Sequence, residues 1–228
     1  MTDQPFTIVA AIYAGMTQLD FTGPHTVFSR IPGAVTITAS EPGGPIESEG
    51  GLIFAGTAKL AEIERCDLLF VPGGLATTDV INDLAFMVQI RRLAGQARYL
   101  TSVCTGSLVL GAAGLLKGKR AACHWAWRDM LPLFGAVPDE SPRGARRQHH
   151  HRRRRHGRID FALVVAAELA GPVFAQALQL GLEYAPAPPF AAGRPEIAPA
   201  EVLSLVQARM AKLMPGRLAG ARTAAARL

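Results

Sequence analysis

The chain is poor in charge, in aromatic rings and in cysteine. Charged residues make up 18% of its 228 positions, aromatic residues 7%, and there are three cysteines. Low charge beside 49% hydrophobic residues excludes disordered, collagen-like and coiled-coil chains, because such a composition supplies a core. No apolar run has the length needed to span a bilayer, and the start Met1-Thr2-Asp3-Gln4-Pro5 lacks the basic segment that opens a signal peptide. The expectation is a cytoplasmic protein with no membrane association. Cys66, Cys104 and Cys123, odd in number and without close pairing, do not describe a disulfide framework, which leaves room for one reactive thiol.

Basicity is confined to one place. The net charge is +6, yet eight of the 24 Lys and Arg lie between Arg143 and Arg158, and the chain without those eight stands at −2. A nucleic-acid partner would rest on that run alone, so none is expected.

Along the rest of the chain, strand patterns alternate with helix patterns. Phe6 to Tyr13 is a continuous apolar run of the kind buried in a parallel sheet, and Leu19 to Arg30 has helical spacing. Strands are expected at Val35 to Ala39, Asp67 to Val71, Tyr99 to Val103 and Arg120 to Cys123, with a short hairpin around Ile46 to Phe54. Helices are expected at Asp79 to Gln96, Thr105 to Leu116, Trp125 to Phe134, Ile159 to Ala170, Val173 to Leu182 and Pro199 to Leu213. The fold class is α/β with a mostly parallel sheet, one domain over residues 1–215, and an Ala- and Arg-rich tail, 216–228, expected to fray or lie on the surface.

In an open parallel sheet, functional groups gather where strands end and helices begin. Three such ends stand out. Asp20 lies in Gln18-Leu19-Asp20-Phe21-Thr22-Gly23-Pro24, at a helix start; Pro72-Gly73-Gly74 has no side chains to keep a ligand from backbone N–H donors; and Cys104 follows a strand in Val103-Cys104-Thr105-Gly106-Ser107. A cysteine on such a turn stands at a helix N-terminus, whose dipole favours thiolate, and the turn resembles the elbow that exposes a nucleophile. Each feature alone has a plainer reading. Cys66 and Cys123 read as small buried hydrophobes, Asp20 could cap its helix, Gly73-Gly74 could be a turn, and His124 could be a core residue or a hydrogen bonder at a helix start.

Taken together, Asp20 to Pro24, Pro72-Gly73-Gly74, Thr101 to Gly106 and His124-Trp125 resemble the ThiJ/PfpI, or class I glutamine amidotransferase-like, superfamily. Within it, Tyr99 to Lys119 and Glu183-Tyr184-Ala185-Pro186-Ala187-Pro188-Pro189-Phe190 are most similar to the isonitrile hydratases. The resemblance runs from about Phe6 to Met214. It implies a flavodoxin-like three-layer sandwich with a cysteine nucleophile elbow, usually dimeric, needing no metal and no organic cofactor. Cys104 would be the nucleophile, Asp20 the acid that hydrogen-bonds it and delivers a proton, and Thr105 an assistant through its hydroxyl. The backbone N–H groups of Gly74 and Thr105 would be donors, with Gly73 and His124 as pocket candidates. The implied reaction is that of a hydro-lyase adding water to an organic isocyanide to give an N-substituted formamide through a Cys104 thioimidate.

One stretch breaks the pattern. Where the superfamily has a strand, a glycine-rich turn and a helix entry, this chain reads Ser141-Pro142 and then Arg143 to Arg158, with His149, His150, His151 and His156 among the arginines. Read literally, the histidines could bind metal and the arginines phosphate, or the stretch could be a solvated loop. Written in GC-rich codons and regrouped one base later, the same letters spell Val-Val-Arg-Asp-Gly-Asn-Ile-Ile-Thr-Gly-Gly-Gly-Val-Thr-Ala and leave the bases GG. The run is therefore read as a compensated frameshift, with one C gained near Ser141-Pro142 and one base lost before Ile159. A peptide map of the native protein across residues 141–159 separates the two spellings.

Two rivals frame the expectation. Some AraC-type transcription regulators carry a similar cysteine domain as a sensor, but they append a DNA-binding module, and only 38 residues follow Phe190 here. Peptidases, amidases and deglycase-like enzymes of the superfamily commonly have Glu where Asp20 stands.

Overall fold

The computed structural model describes residues 4–139 and 157–228. Arg143 to His156, with the strand and glycine-rich turn expected there, lie outside the described residues.

The sheet is built outward from its most apolar strand. β1 (Phe6–Ala11) is buried along nearly its whole length and pairs in parallel with β2 (Ala34–Ser40) on one side and β5 (Leu68–Val71) on the other. β6 (Tyr99–Ser102) extends the parallel run beyond β5, and β4 (Ile53–Lys59) extends it beyond β2. β3 (Gly44–Glu47) closes the edge antiparallel to β4, which is the expected hairpin. The order is β3-β4-β2-β1-β5-β6. A strand buried on both faces cannot alternate polar and apolar residues, so β1 and β5 read as unbroken hydrophobic runs.

From β1 the chain moves through α1 (Gln18–Phe28) to β2, whereas from β5 it moves the opposite way through α2 (Thr77–Val80) and α3 (Leu84–Gln96) to β6. Right-handed crossovers running in opposite directions put α1 and α3 on opposite faces. The direction reverses between β1 and β5. In such sheets the crevice beyond the carboxyl ends of the two strands at the reversal is where ligands bind.

On the α1 face, Phe28 of α1, Phe70 of β5 and Phe161 of α5 (Arg158–Ala170) form a buried trio with ring centroids 5.5 to 6.1 Å apart. Gly23 admits α5 closely. A Cβ there would stand 3.3 Å from Ile159 Cγ1 and 3.6 Å from Arg158 Cβ. α6 (Pro172–Gly181) follows directly.

The observed elements differ from the expected ones where local chemistry overrides the apolar pattern. The helix expected over Asp79 to Gln96 is two helices, since Asp83 accepts from the N–H groups of Ala85 and Phe86 and so starts α3 afresh. α4 (Gly106–Ala112) ends short of Leu116, and Trp125–Phe134 winds as a 3-10 run containing Pro132 and ending at Gly135 with φ 69°. Arg120–Ala121 forms a two-residue strand β7 against β8 (Val137–Pro138).

The largest correction is at the end of the chain. Instead of fraying after Pro215, residues 216–225 continue helix α7 (Ala200–Ala225), with Ala221 and Ala224 buried. Small residues let this helix approach closely: the Gly220 carbonyl accepts from Asn82 Nδ2 at 3.0 Å, and the Arg217 guanidinium lies 4.3 Å over the Trp127 ring. No helix among the described residues is long and apolar enough to cross a membrane.

Candidate active site

The carboxyl ends of β1, β5 and β6 are neighbours, and the three loops that leave them are tied together. Met16 and Gly74 form an antiparallel bridge, and the Thr17 N–H donates to the Gly73 carbonyl at 2.9 Å. Glycine is required here for proximity. A Cβ on Gly73 would lie 2.6 Å from the Thr105 nitrogen, one on Gly74 2.5 Å from Met16 Cα, and one on Gly106 2.3 Å from the Val71 carbonyl oxygen. These contacts bring Asp20, Gly73, Gly74, Cys104 and Thr105 together, as expected from their positions at three strand ends.

Asp20 sits in the first turn of α1 and is fully buried. It does not cap the helix, because the N-cap is Thr17. Its Oδ1 accepts from the Arg158 guanidinium, and its Oδ2 has no hydrogen-bond partner among the described residues.

Cys104 occupies the turn between β6 and α4 with φ 53°, a left-handed conformation that few side chains adopt without a surrounding frame to hold it. The surroundings of Cys104 oppose the thiolate that the helix N-terminus favours. Burial pushes the thiol well above its ordinary value, the Asp20 carboxylate and the neighbouring Cys123 push it further, and only Arg158 pulls the other way. Burial likewise raises Cys66 to about 12 and Cys123 to about 11; Cys66 is buried, as its reading expected, whereas Cys123 is half-buried.

Behind Cys104 lies a set of linked hydroxyls. The Gly74 N–H donates to Thr105 Oγ1 at 2.9 Å, Thr105 Oγ1 and Thr77 Oγ1 are 2.6 Å apart, Thr77 donates to the Gly74 carbonyl at 2.7 Å, and Tyr13 Oη lies 3.0 Å from Thr77 Oγ1. The Gly74 N–H is thus engaged with Thr105 and is not the free ligand donor the sequence led us to expect. The Thr105 N–H has no acceptor among the described residues.

In front of Cys104 is a cavity of about 210 Å³ lined by Thr17, Glu49, Gly74, Leu75, Cys104, Thr105, His124, Trp127, Arg158 and Met210. His124 therefore reaches the site, and it also opens the 3-10 run by accepting from the Ala126 N–H at 3.3 Å. Its imidazole is held below the ordinary value, chiefly by burial and further by Arg158 and Arg128, against the pull of Asp20. Glu49 accepts from Thr17 Oγ1 at 2.9 Å and from the Leu75 N–H at 3.4 Å. Sequence reasoning missed Glu49, Trp127 and Met210. Glu49 comes from the hairpin turn and Met210 from α7, far from any strand end, and only tertiary packing brings them in.

The comparisons with known proteins fit this geometry. Residues 7–141 match the profile of the DJ-1/PfpI family. The chain belongs to that family. Over 217 residues, 95% of each chain, it is 41% identical to isonitrile hydratase from Pseudomonas putida. Among solved structures, a ThiJ/PfpI family protein from Pseudomonas syringae superposes with a TM-score of 0.87 at 35% identity, covering 97% of this chain and 90% of that one. Drosophila melanogaster DJ-1beta, at 20% identity and a TM-score of 0.62 over 80% of this DJ-1/PfpI chain and 100% of its own, shares the fold.

Proposed function

We propose that this protein is an isonitrile hydratase, acting on an organic isocyanide through Cys104. The likeness to the Pseudomonas putida enzyme along 95% of both chains is the observation that carries the reading. The site is chemically suited to it. An isocyanide carbon is both a weak nucleophile and an electrophile, and it adds a thiol when one group takes the thiol proton and returns it to that carbon. The burial of Asp20 beside Cys104, with no hydrogen-bond partner on Oδ2 among the described residues, supports that role for it.

In the first half-reaction the Cys104 S–H bond breaks, its proton passes to Asp20, and sulfur bonds to the terminal carbon. The carbon then takes the proton, giving the thioimidate R–N=CH–S–Cys104. In the second, water adds across C=N, the C–S bond breaks, the proton returns to sulfur and R–NH–CHO leaves. The Thr105 N–H is the donor for the oxygen that appears in this step, while the Gly74 N–H fixes Thr105 from behind. Trp127, Leu75 and Met210 give the cavity an apolar side that suits a hydrocarbon substituent.

The assay is conversion of cyclohexyl isocyanide to N-cyclohexylformamide. Cys104→Ala should fall to background, and formamide production retained in that variant would sink the reading. We further propose a homodimer, supported by the exposed apolar side chains Val173, Leu180 and Phe190 on and after α6. Light scattering on a sizing column would test it, and a monomer at micromolar concentration would reject it.

A further inference from the structure

The ion pair over the site is not accounted for by the reaction. Arg158 is the first residue of α5, and its guanidinium closes on Asp20 Oδ1. The aromatic trio holds α5 against α1, and Gly23 leaves no side chain to keep the two helices apart, so Arg158 Cβ packs beside Gly23 of α1. The arginine is 38% exposed while its partner is fully buried, which makes it a lid over Asp20 rather than part of the core. It also lines the cavity beside Cys104.

We propose that Arg158 is a positioning residue that clamps Asp20: it occupies one carboxylate oxygen and compensates the charge, so that Asp20 sits quietly beside the thiol and is slow to carry its proton. The inference rests on the reading of Asp20 as the proton carrier.

The regrouped spelling of the basic run gives this a sharp form. With the codons chosen above, the two bases left over, GG, begin a glycine codon whatever base follows, so that spelling would put glycine at position 158. A glycine cannot reach Asp20. The two spellings therefore differ in the active site itself as well as in the run that precedes it, and Arg158→Gly converts one arrangement into the other at a single position.

The groups facing Cys104 are Asp20 on α1, Tyr13 at the end of the β1 loop, Cys123 and His124 before the 3-10 run, Glu49 across the cavity, and Arg158 on α5. Of these, Arg158 alone carries a full positive charge. Removing it leaves the Asp20 carboxylate uncompensated beside the thiol, and the thiolate should become harder to form.

The test needs no isocyanide. Alkylation of Cys104 by iodoacetamide is followed by mass spectrometry against pH in the full chain, in Arg158→Gly, in Arg158→Lys and in each change combined with Asp20→Asn. With Asp20 present, Arg158→Gly should move the alkylation midpoint up by about one pH unit, slowing labelling about tenfold on the low-pH side. With Asn at 20 the shift should shrink to the part that the arginine exerts directly on the thiol. Arg158→Lys should stay near the parent and serves if the glycine variant does not fold. Formamide turnover should rise several-fold in Arg158→Gly. An unmoved midpoint, or an equal shift with and without the Asp20 charge, would overturn the clamp. Failure of the hydratase reading itself would show separately, as absence of formamide in every variant beside an intact alkylation pattern.

Discussion

Two aspartates sit at opposite ends of the same pair of strands, and each meets an arginine. At the amino end of β5, Asp67 accepts from the Thr7 N–H of β1 at 2.9 Å and from Arg65 Nε at 2.9 Å, with Arg65 Nη2 adding a third bond. Burial raises its carboxyl, but Arg65 and the Thr7 N–H outweigh burial and hold it below the ordinary range. At the carboxyl end, Asp20 is more deeply buried, and its Oδ2 has no hydrogen-bond partner among the described residues. The satisfied carboxylate staples the sheet, and the other is the one we propose as the proton carrier. A buried polar group without its partner costs stability, so its persistence marks the end of the sheet at which function outranks rigidity.

The comparison is broken most severely by exchanging oxygen for nitrogen in each carboxylate. Asp20→Asn should lower formamide turnover by about 10² to 10⁴-fold, the usual worth of a positioned proton carrier, with little change in melting temperature. Asp67→Asn should do the reverse, lowering stability by about 1–3 kcal/mol in denaturant titration while the folded fraction keeps its turnover. If both variants lost only stability, the two ends of the sheet would be equivalent.

The hydroxyls behind the site come next. Thr105→Val leaves the Gly74 N–H without its acceptor and should cost about 1–3 kcal/mol, whereas Thr105→Ser should be nearly neutral.

A pH series sharpens the contrast from the other side. Because the Asp67 carboxyl is lower in the folded than in the unfolded chain, its contribution is complete above the ordinary aspartate value and fades as pH falls through the folded one. Stability measured from pH 5 downward should therefore drop more steeply in the parent than in Asp67→Asn. The smallest effect belongs to the helix that covers the site: Arg217→Ala removes the cation stacked on Trp127 and should cost about 0.5–1 kcal/mol, read as a small fall in melting temperature.

Much of this was legible in the chain. Unbroken apolar runs such as Phe6 to Tyr13 can only be interior parallel strands, and the turn residues after them placed Asp20, Gly73-Gly74 and Cys104 at one edge. Sequence did not reveal that the Gly74 N–H would be claimed by Thr105, since that depends on a backbone N–H and a hydroxyl meeting across 31 positions of chain. Nor did composition reveal that α7 runs on past Pro215, because alanine and arginine suit a frayed end and a docked helix equally. Which one forms was decided by Gly220 and Ala221 fitting against α2 and the 3-10 run.

The linked hydroxyls of Tyr13, Thr77 and Thr105 can be counted as well as measured. They own three hydrogens, and the Gly74 N–H brings a fourth. The acceptors around them, besides one another, are the carbonyls of Pro72 and Gly74, at 3.2 Å from Tyr13 Oη, 2.7 Å from Thr77 Oγ1 and 3.2 Å from Thr105 Oγ1. However the hydroxyls rotate within this set, every chain of donation drains into one of those two carbonyls, and the Thr105 hydrogen leaves toward Thr77 or Gly74. None is left over to point at Cys104. The wall behind Cys104 is thus electrically sealed: it can hold the loops in place without supplying a stray proton, which is in keeping with the proposal that Asp20 carries the proton.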